Sequence, residues 1–171
     1  MPRLYLRDWP TDKCELAVRV AGELTTDRAL QSVQISTIAH ATDDLEKVQT
    51  ALNHMLPESL LGRQIFTRKY MEGHHGNQIV TFEAKLTKTN DVALFTEHFL
   101  KQLSRNERLG VERDLDLHSD DEGNLFIRLD KQRAYFGTME LTDEDPIRVR
   151  LKFSKLKGKT KDLMRGVLEM E

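Results

Sequence analysis

The segment IRVRLKF, Ile147 to Phe153, constrains this chain more than any other. Ile147, Val149, Leu151 and Phe153 fall on one side of an extended backbone, and Arg148, Arg150 and Lys152 fall on the other. A strand with this alternation has one face against a core and one face in water, the pattern of a sheet covered on a single side. Gln78 to Leu86 repeats it, with Val80, Phe82, Ala84 and Leu86 inward and Thr81, Glu83 and Lys85 outward. LFIRLDK, after the polar turn SDDEGN, turns Leu125, Ile127 and Leu129 inward.

The remaining elements follow from periodicity and punctuation. Ser32 to Ala41 is rich in β-branched residues and predicts a strand. Thr42 then caps a helix whose first turn holds Asp43 and Asp44, where carboxylates meet the exposed amides and the positive dipole end. Leu45, Val48, Leu52 and Met55 follow at helical spacing, and Pro57 ends the run. Arg63 to Met71 pairs with Gln78 to Leu86 as a hairpin. Setting Glu72 opposite Gln78 places Tyr70 opposite Val80 and Phe66 opposite Ala84, and leaves Gly73 to Asn77 (GHHGN) as a five-residue connection whose glycines and asparagine supply positive φ. Arg68 is the misfit, on the apolar face opposite Phe82. NDVALFTEHFLKQLS predicts a helix burying Val92, Phe95, Phe99 and Leu103. A strand is expected over Val111 to His118, and a terminal helix through Leu163, Met164, Val167 and Leu168.

The order β-α-β-β-α-β-β-β-α implies an α+β protein of two layers, an antiparallel or mixed sheet with helices packed on one face. At 171 residues with 39% hydrophobic content, one domain over residues 33–171 is expected. Residues 1–32 form an N-terminal extension, in which Cys14, Leu16, Val18 and Val20 alternate as in an added strand while Asp12 with Glu15 offers a helix cap. No apolar run is long enough to span a bilayer and no secretory leader is visible, so a cytoplasmic protein is expected. Cys14 is the only cysteine, which leaves no intramolecular disulfide and no thiolate-rich metal site within this chain.

The net charge of -2 hides a segregation. From Val111 to Pro146 eleven acids face four bases; from Ile147 to Glu171 eight bases face three acids. Arg148, Arg150 and Lys152 share one strand face and repel one another, so the isolated protein gains nothing from them, whereas a phosphate backbone would be neutralised with counterion release. Lys155, Lys157, Lys159 and Lys161 of KLKGKTK extend the basic run. The adjacent His74 and His75 lack the HExxH helix or cysteine pair of a zinc site. The acidic run DLDLHSDDEGN fails as a calcium loop because Leu129 stands where the bidentate glutamate belongs. Asp114 and Asp116 share one face of the expected strand, where Arg128 can pair with them. No Ser-His-Asp set, phosphate-cradling GxxxxGK[ST] or GxGxxG occurs, so the chain is read as non-catalytic, without cofactor or metal.

Three segments together, STIAHATDD (Ser36 to Asp44), GHHGNQI (Gly73 to Ile79) and GNLFIRLDKQRAYFG (Gly123 to Gly137), resemble an archaeal family of small RNA-binding-type proteins described as predicted exosome subunits. Its fold is similar to that of the large-subunit ribosomal protein that binds 5S rRNA. The resemblance runs from about Val33 to Phe153. It implies an α+β fold and a cytoplasmic role in RNA processing or degradation without an activity of its own. The motif residues it carries onto this chain are His74, His75, Gly76 and Asn77, then Arg128, Asp130, Lys131, Gln132, Tyr135 and Gly137. RNA is therefore the expected partner, with the exosome or other RNA-processing proteins beside it; the oligomeric state, a dimer included, stays open. Arg148, Arg150, Lys152, Lys155, Lys157, Lys159, Lys131 and Arg133 are the expected phosphate contacts, and Tyr135, His74 and His75 the expected stacking groups. The alternatives are a protein-interaction module using acidic residues 111–146 and a metal-dependent hydrolase using His74 and His75.

Overall fold

The computed structural model describes residues 29–73, 76–155 and 159–169. The alternating segment Cys14 to Val20, His74, His75 and Lys157 lie outside them. Five strands, β1 (Leu30–Ala39), β2 (Thr67–Glu72), β3 (Gln78–Leu86), β4 (Asn124–Leu129) and β5 (Ile147–Phe153), pair antiparallel throughout in the order β2-β3-β1-β5-β4. Among the described residues six helices accompany them: α1 (Leu45–His54), α2 (Thr89–Gln102), α3 (Arg105–Arg113), α4 (Leu115–His118), α5 (Lys131–Tyr135) and α6 (Thr160–Leu168).

The alternation does the organising. Val33, Ile35 and Ala39 of β1 meet Val80, Phe82, Ala84 and Leu86 of β3 and the inward residues of β4 and β5 in one core, closed by Val48 and Leu52 of α1, Phe95 and Phe99 of α2, Val111 of α3 and Met164 and Val167 of α6. Phe95 and Phe99, one helical turn apart, stack with centroids 5.4 Å apart. Each such fully buried side chain contributes roughly 1.5–3 kcal/mol, so a helix without this apolar stripe would not stay on the sheet.

The hairpin takes the expected register, Glu72 opposite Gln78 and Tyr70 opposite Val80. Arg68 resolves its misfit by lying over Phe82, its guanidinium carbon 5.1 Å from the ring centre, and by donating to Gln49 at 3.1 Å. The turn corrects one expectation. Gly76 alone takes positive φ, +75°, among the described turn residues, whereas Gly73 is needed for space: a Cβ there would lie 3.0 Å from Ile79 Cδ1 and 3.2 Å from the Asn77 carbonyl.

Two further corrections concern helix starts. Asp44, not Thr42, is the N-cap of α1, accepting from the amides of Glu46 and Lys47 at 2.9 and 3.3 Å. Val111 to His118 is helical, in α3 and α4, not a strand. Ser104 caps α3, accepting from the Glu107 amide while its hydroxyl donates to the Glu107 carboxylate, both at 3.2 Å. This Ser-x-x-Glu start sends the chain into helix. Val111 and Leu115 then bury at i, i+4 spacing, while Leu117 stands 81% exposed. Asp114 and Asp116 accordingly share no face with Arg128; Arg113 takes Asp114, Lys161 takes Asp116, and Arg128 pairs with Asp143 at 3.2 Å.

Candidate nucleic-acid interface

Among the described residues, every helix that closes the core sits on the inward residues, and none of these helices covers the opposite side of the sheet. No side chain on it is fully buried except Asn124. The registers arrange it in rows across the strands. One row runs Lys85, Gln34, Arg150, Phe126; the next Thr67, Glu83, Ser36, Arg148, Arg128; and at the far end Ser32, Lys152, Asn124. At the usual strand spacing the four-residue row spans about 14 Å.

The cations of β5 are held up rather than neutralised. Arg150 donates to the neutral side chain of Gln34, and Lys152 to the Glu122 carbonyl at 2.6 Å. Among the described residues no carboxylate stands within ion-pair distance of Arg148, Arg150 or Lys152. Arg128 lies directly across from Arg148, a like-charge pair that costs stability, and only Arg128 has an acid to relieve it. Beyond the strand end Lys155 pairs with Glu122 at 2.9 Å, and that hydrogen bond and charge hold the Glu122 carboxyl below its ordinary range.

The corner beneath Lys152 is tightly made. Asp120 accepts from the Glu122 and Asn124 amides, each at 2.9 Å, and from the Asn124 side chain at 2.7 Å. Burial pushes its carboxyl upward, yet these hydrogen bonds outweigh it and leave Asp120 below its ordinary value. Gly123 has φ +80°, and a Cβ there would meet the Phe153 carbonyl at 3.1 Å.

The motif residues of LDKQRAY build something else. Asp130 caps α5 by accepting from the Arg133 amide at 2.8 Å. Lys131 then turns inward, 11% exposed, with its ammonium on the Ile38 carbonyl at 2.8 Å, Asp43 at 2.9 Å and Asp145. Asp43 also accepts from the His40 amide at 3.0 Å, and His40 Nε2 lies 3.4 Å from Asp145. Burial raises the Asp43 pKa, but the Lys131 hydrogen bond, the His40 amide and the nearby positive charge together bring it below the ordinary value. Asp43, Lys131 and Asp145 line a cleft of about 610 Å³ with Tyr135, Phe136 and Glu144 on its walls. Tyr135 packs partly against the core and edge-on to Phe136, centroids 5.1 Å apart. Arg133 pairs with Glu140 at 3.2 Å.

The structure thus lines up Arg148, Arg150 and Lys152 on one face of β5, with Lys155 two residues past its end, and puts Lys131, Arg133 and Tyr135 on α5, where Lys131 and Arg133 have carboxylate partners. Lys159 is exposed at the start of α6. The hairpin turn lies at the Arg148 end of the sheet: from Glu83, level with Arg148, to Gln78 is about 17 Å along β3, and β5 is two strand spacings, about 10 Å, to the side. Phe126 was not read from the sequence as part of the open face, and Lys85, read as outward, was not counted among the expected phosphate contacts. The signal was present, since Phe126 lies between the inward Leu125 and Ile127 and so must point outward with Arg128. Among the described residues no three His, Cys, Asp or Glu side chains gather as a metal site requires, and no helix is long and apolar enough to cross a membrane.

Comparison with known proteins places these features in context. A family model described as RNA binding matches residues 32–153. The RNA-binding protein PAB1135 of Pyrococcus abyssi is 31% identical over 152 residues, 88% of this chain and 96% of that protein. Among solved structures, protein AF2318 from Archaeglobus fulgidus superposes with a TM-score of 0.67 at 29% identity, covering 79% of this chain and 94% of that one. Mth689, a DUF54 protein from Methanothermobacter thermautotrophicus, gives 0.65 at 28% identity, covering 82% and 99%.

Proposed function

The chain belongs to the RNA-binding family matched over residues 32–153, and from that premise we propose that it binds RNA on the open face of its sheet. The observation that carries the reading is the contrast in pairing. Among the described residues Arg148, Arg150 and Lys152 stand on the water side of β5 with no carboxylate at ion-pair distance, while Arg63, Lys69, Arg128, Lys131 and Arg133 each have one. Unneutralised cations in a row cost the free protein repulsion, and a polyphosphate recovers that cost with release of its counterions. Lys85 extends the charged row across the sheet, and Lys155 and Lys159 continue it past the strand end.

The test is the salt dependence of RNA affinity. Wild-type affinity falls steeply as salt rises, and R148E/R150E/K152E removes most of the binding and flattens the slope, by about one unit for each phosphate no longer neutralised. An affinity indifferent to salt, or untouched by the triple reversal, defeats the reading. The wider role is that of a non-catalytic accessory factor in RNA processing or degradation around the exosome, in the cytoplasm, as the family resemblance implies. Co-purification of exosome subunits with the tagged chain, before and after nuclease, tests that part separately.

A further inference from the structure

Resting on the RNA reading of the open face, we propose that the face takes unpaired nucleotides and that Phe126 is its base-stacking platform. Phe126 is half-buried on the outward side of β4 and makes no part of the hydrophobic core or of the partly buried shell packed against it. The ring lies outside the core on the water side of the sheet, so a partner that stacks on it would bury the part still open to water. Its surroundings state what kind. Arg150 lies directly across on β5, and the two diagonal neighbours on that strand are Arg148 and Lys152. Those diagonals are about 7–8 Å away, within reach of long side chains. Phe126 is therefore centred on the three β5 cations that lack a carboxylate, with Arg128 and Asn124 two residues away on its own strand.

A nucleotide satisfies both requirements at once. Its base covers the ring while its phosphates meet Arg150 and the diagonal cations, and a guanidinium can stack as well as pair. A duplex cannot use the ring, because its bases already stack on one another and a broad sheet does not enter the grooves to reach them. The cations serve either form of RNA; the ring serves only the unpaired one.

The experiment compares full-length wild type, F126A, F126Y and R148E/R150E/K152E on a short oligoadenylate, the same backbone carrying abasic sites, and a short RNA duplex, with circular dichroism confirming the fold of each. F126A is expected to weaken binding to oligoadenylate about tenfold, the size of a single base stack, with less than about twofold change on duplex and an unchanged salt slope. F126Y retains wild-type affinity because the ring face is kept, and the abasic strand binds wild type and F126A equally. F126A matching wild type on oligoadenylate, or weakening equally on strand and duplex, overturns the stacking assignment while the electrostatic reading stands. Unchanged binding by the triple reversal overturns both.

Discussion

Arg148 and Lys131 sit near the same end of the sheet, and they have opposite fates. Lys131 gives its ammonium to the Ile38 carbonyl, Asp43 and Asp145, with 11% of its side chain exposed. Arg148 is exposed, faces Arg128 across the strand pair, and has no carboxylate at ion-pair distance among the described residues. Two cations inside or beside one family-like segment thus do different physical work. Lys131 ties the turn before α1 to the segment before β5, and its charge is neutralised inside the molecule. Arg148 leaves its charge to solvent. Lys131 belongs to the motif and Arg148 does not, but what sets their work apart physically is the distance to the nearest carboxylate.

The largest effect expected from breaking this contrast is on stability. K131M leaves Asp43 and Asp145 facing each other without their cation, and unpairing a mostly buried partner of this kind costs about 2 kcal/mol, discounted for the exposure of the acids. For a chain of this size that lowers Tm by about 4–8 °C. RNA affinity at a temperature where the variant is folded should stay within about threefold of wild type; a larger drop would show that the cleft also contacts RNA.

A smaller effect sharpens the contrast from the other side. Gln34 lies between Lys85 and Arg150 and already accepts from Arg150. Q34E supplies the carboxylate that this face lacks, so RNA affinity should fall about tenfold at low salt and the salt slope should shrink by about one unit, with little change in Tm. An unchanged affinity would mean that Arg150 makes no phosphate contact.

The smallest effect is a pH dependence confined to the cleft. The folded pKa of Asp43 is depressed below its ordinary value, chiefly because the Lys131 hydrogen bond and the His40 amide outweigh burial. A depressed carboxyl contributes stability that is fully present above its unfolded pKa, near 4, and is lost as pH falls through that value toward the folded one. Denaturation midpoints of wild type should therefore drop more steeply than those of D43N as pH is lowered from about 5 to 3. Parallel curves for the two proteins would show that Asp43 contributes nothing to the acid sensitivity.

Where the structure was legible in the sequence, the reason is geometric. β3, β4 and β5 announced themselves because a half-buried strand has a period of two, and the hairpin register followed because a slip of one residue would turn every inward side chain outward. Val111 to His118 misled for the same reason in reverse. DLDL imitates that period, and the true signal, Ser104 with Glu107 three residues on, lay seven residues upstream of the segment's first residue. The basic stripe was legible as a stripe. Phe126 was overlooked because an apolar residue between two apolar residues reads as core until its strand is drawn and its neighbours claim the other face.

Alternation alone determined that β5 would carry Ile147, Val149, Leu151 and Phe153 on one side and Arg148, Arg150 and Lys152 on the other, because a strand's side chains must point to opposite faces in turn. The composition of the elements determined an α+β architecture with one covered face. Only the tertiary structure decided which cations stay free. Asp43 and Asp145 lie 88 and 14 positions from Lys131 in the chain and still reach its ammonium, while Arg148, three residues beyond Asp145, points to the face the helices leave uncovered. Charge pairing is set by distances of a few ångströms between residues far apart in sequence, and that information exists only once the sheet has brought them together.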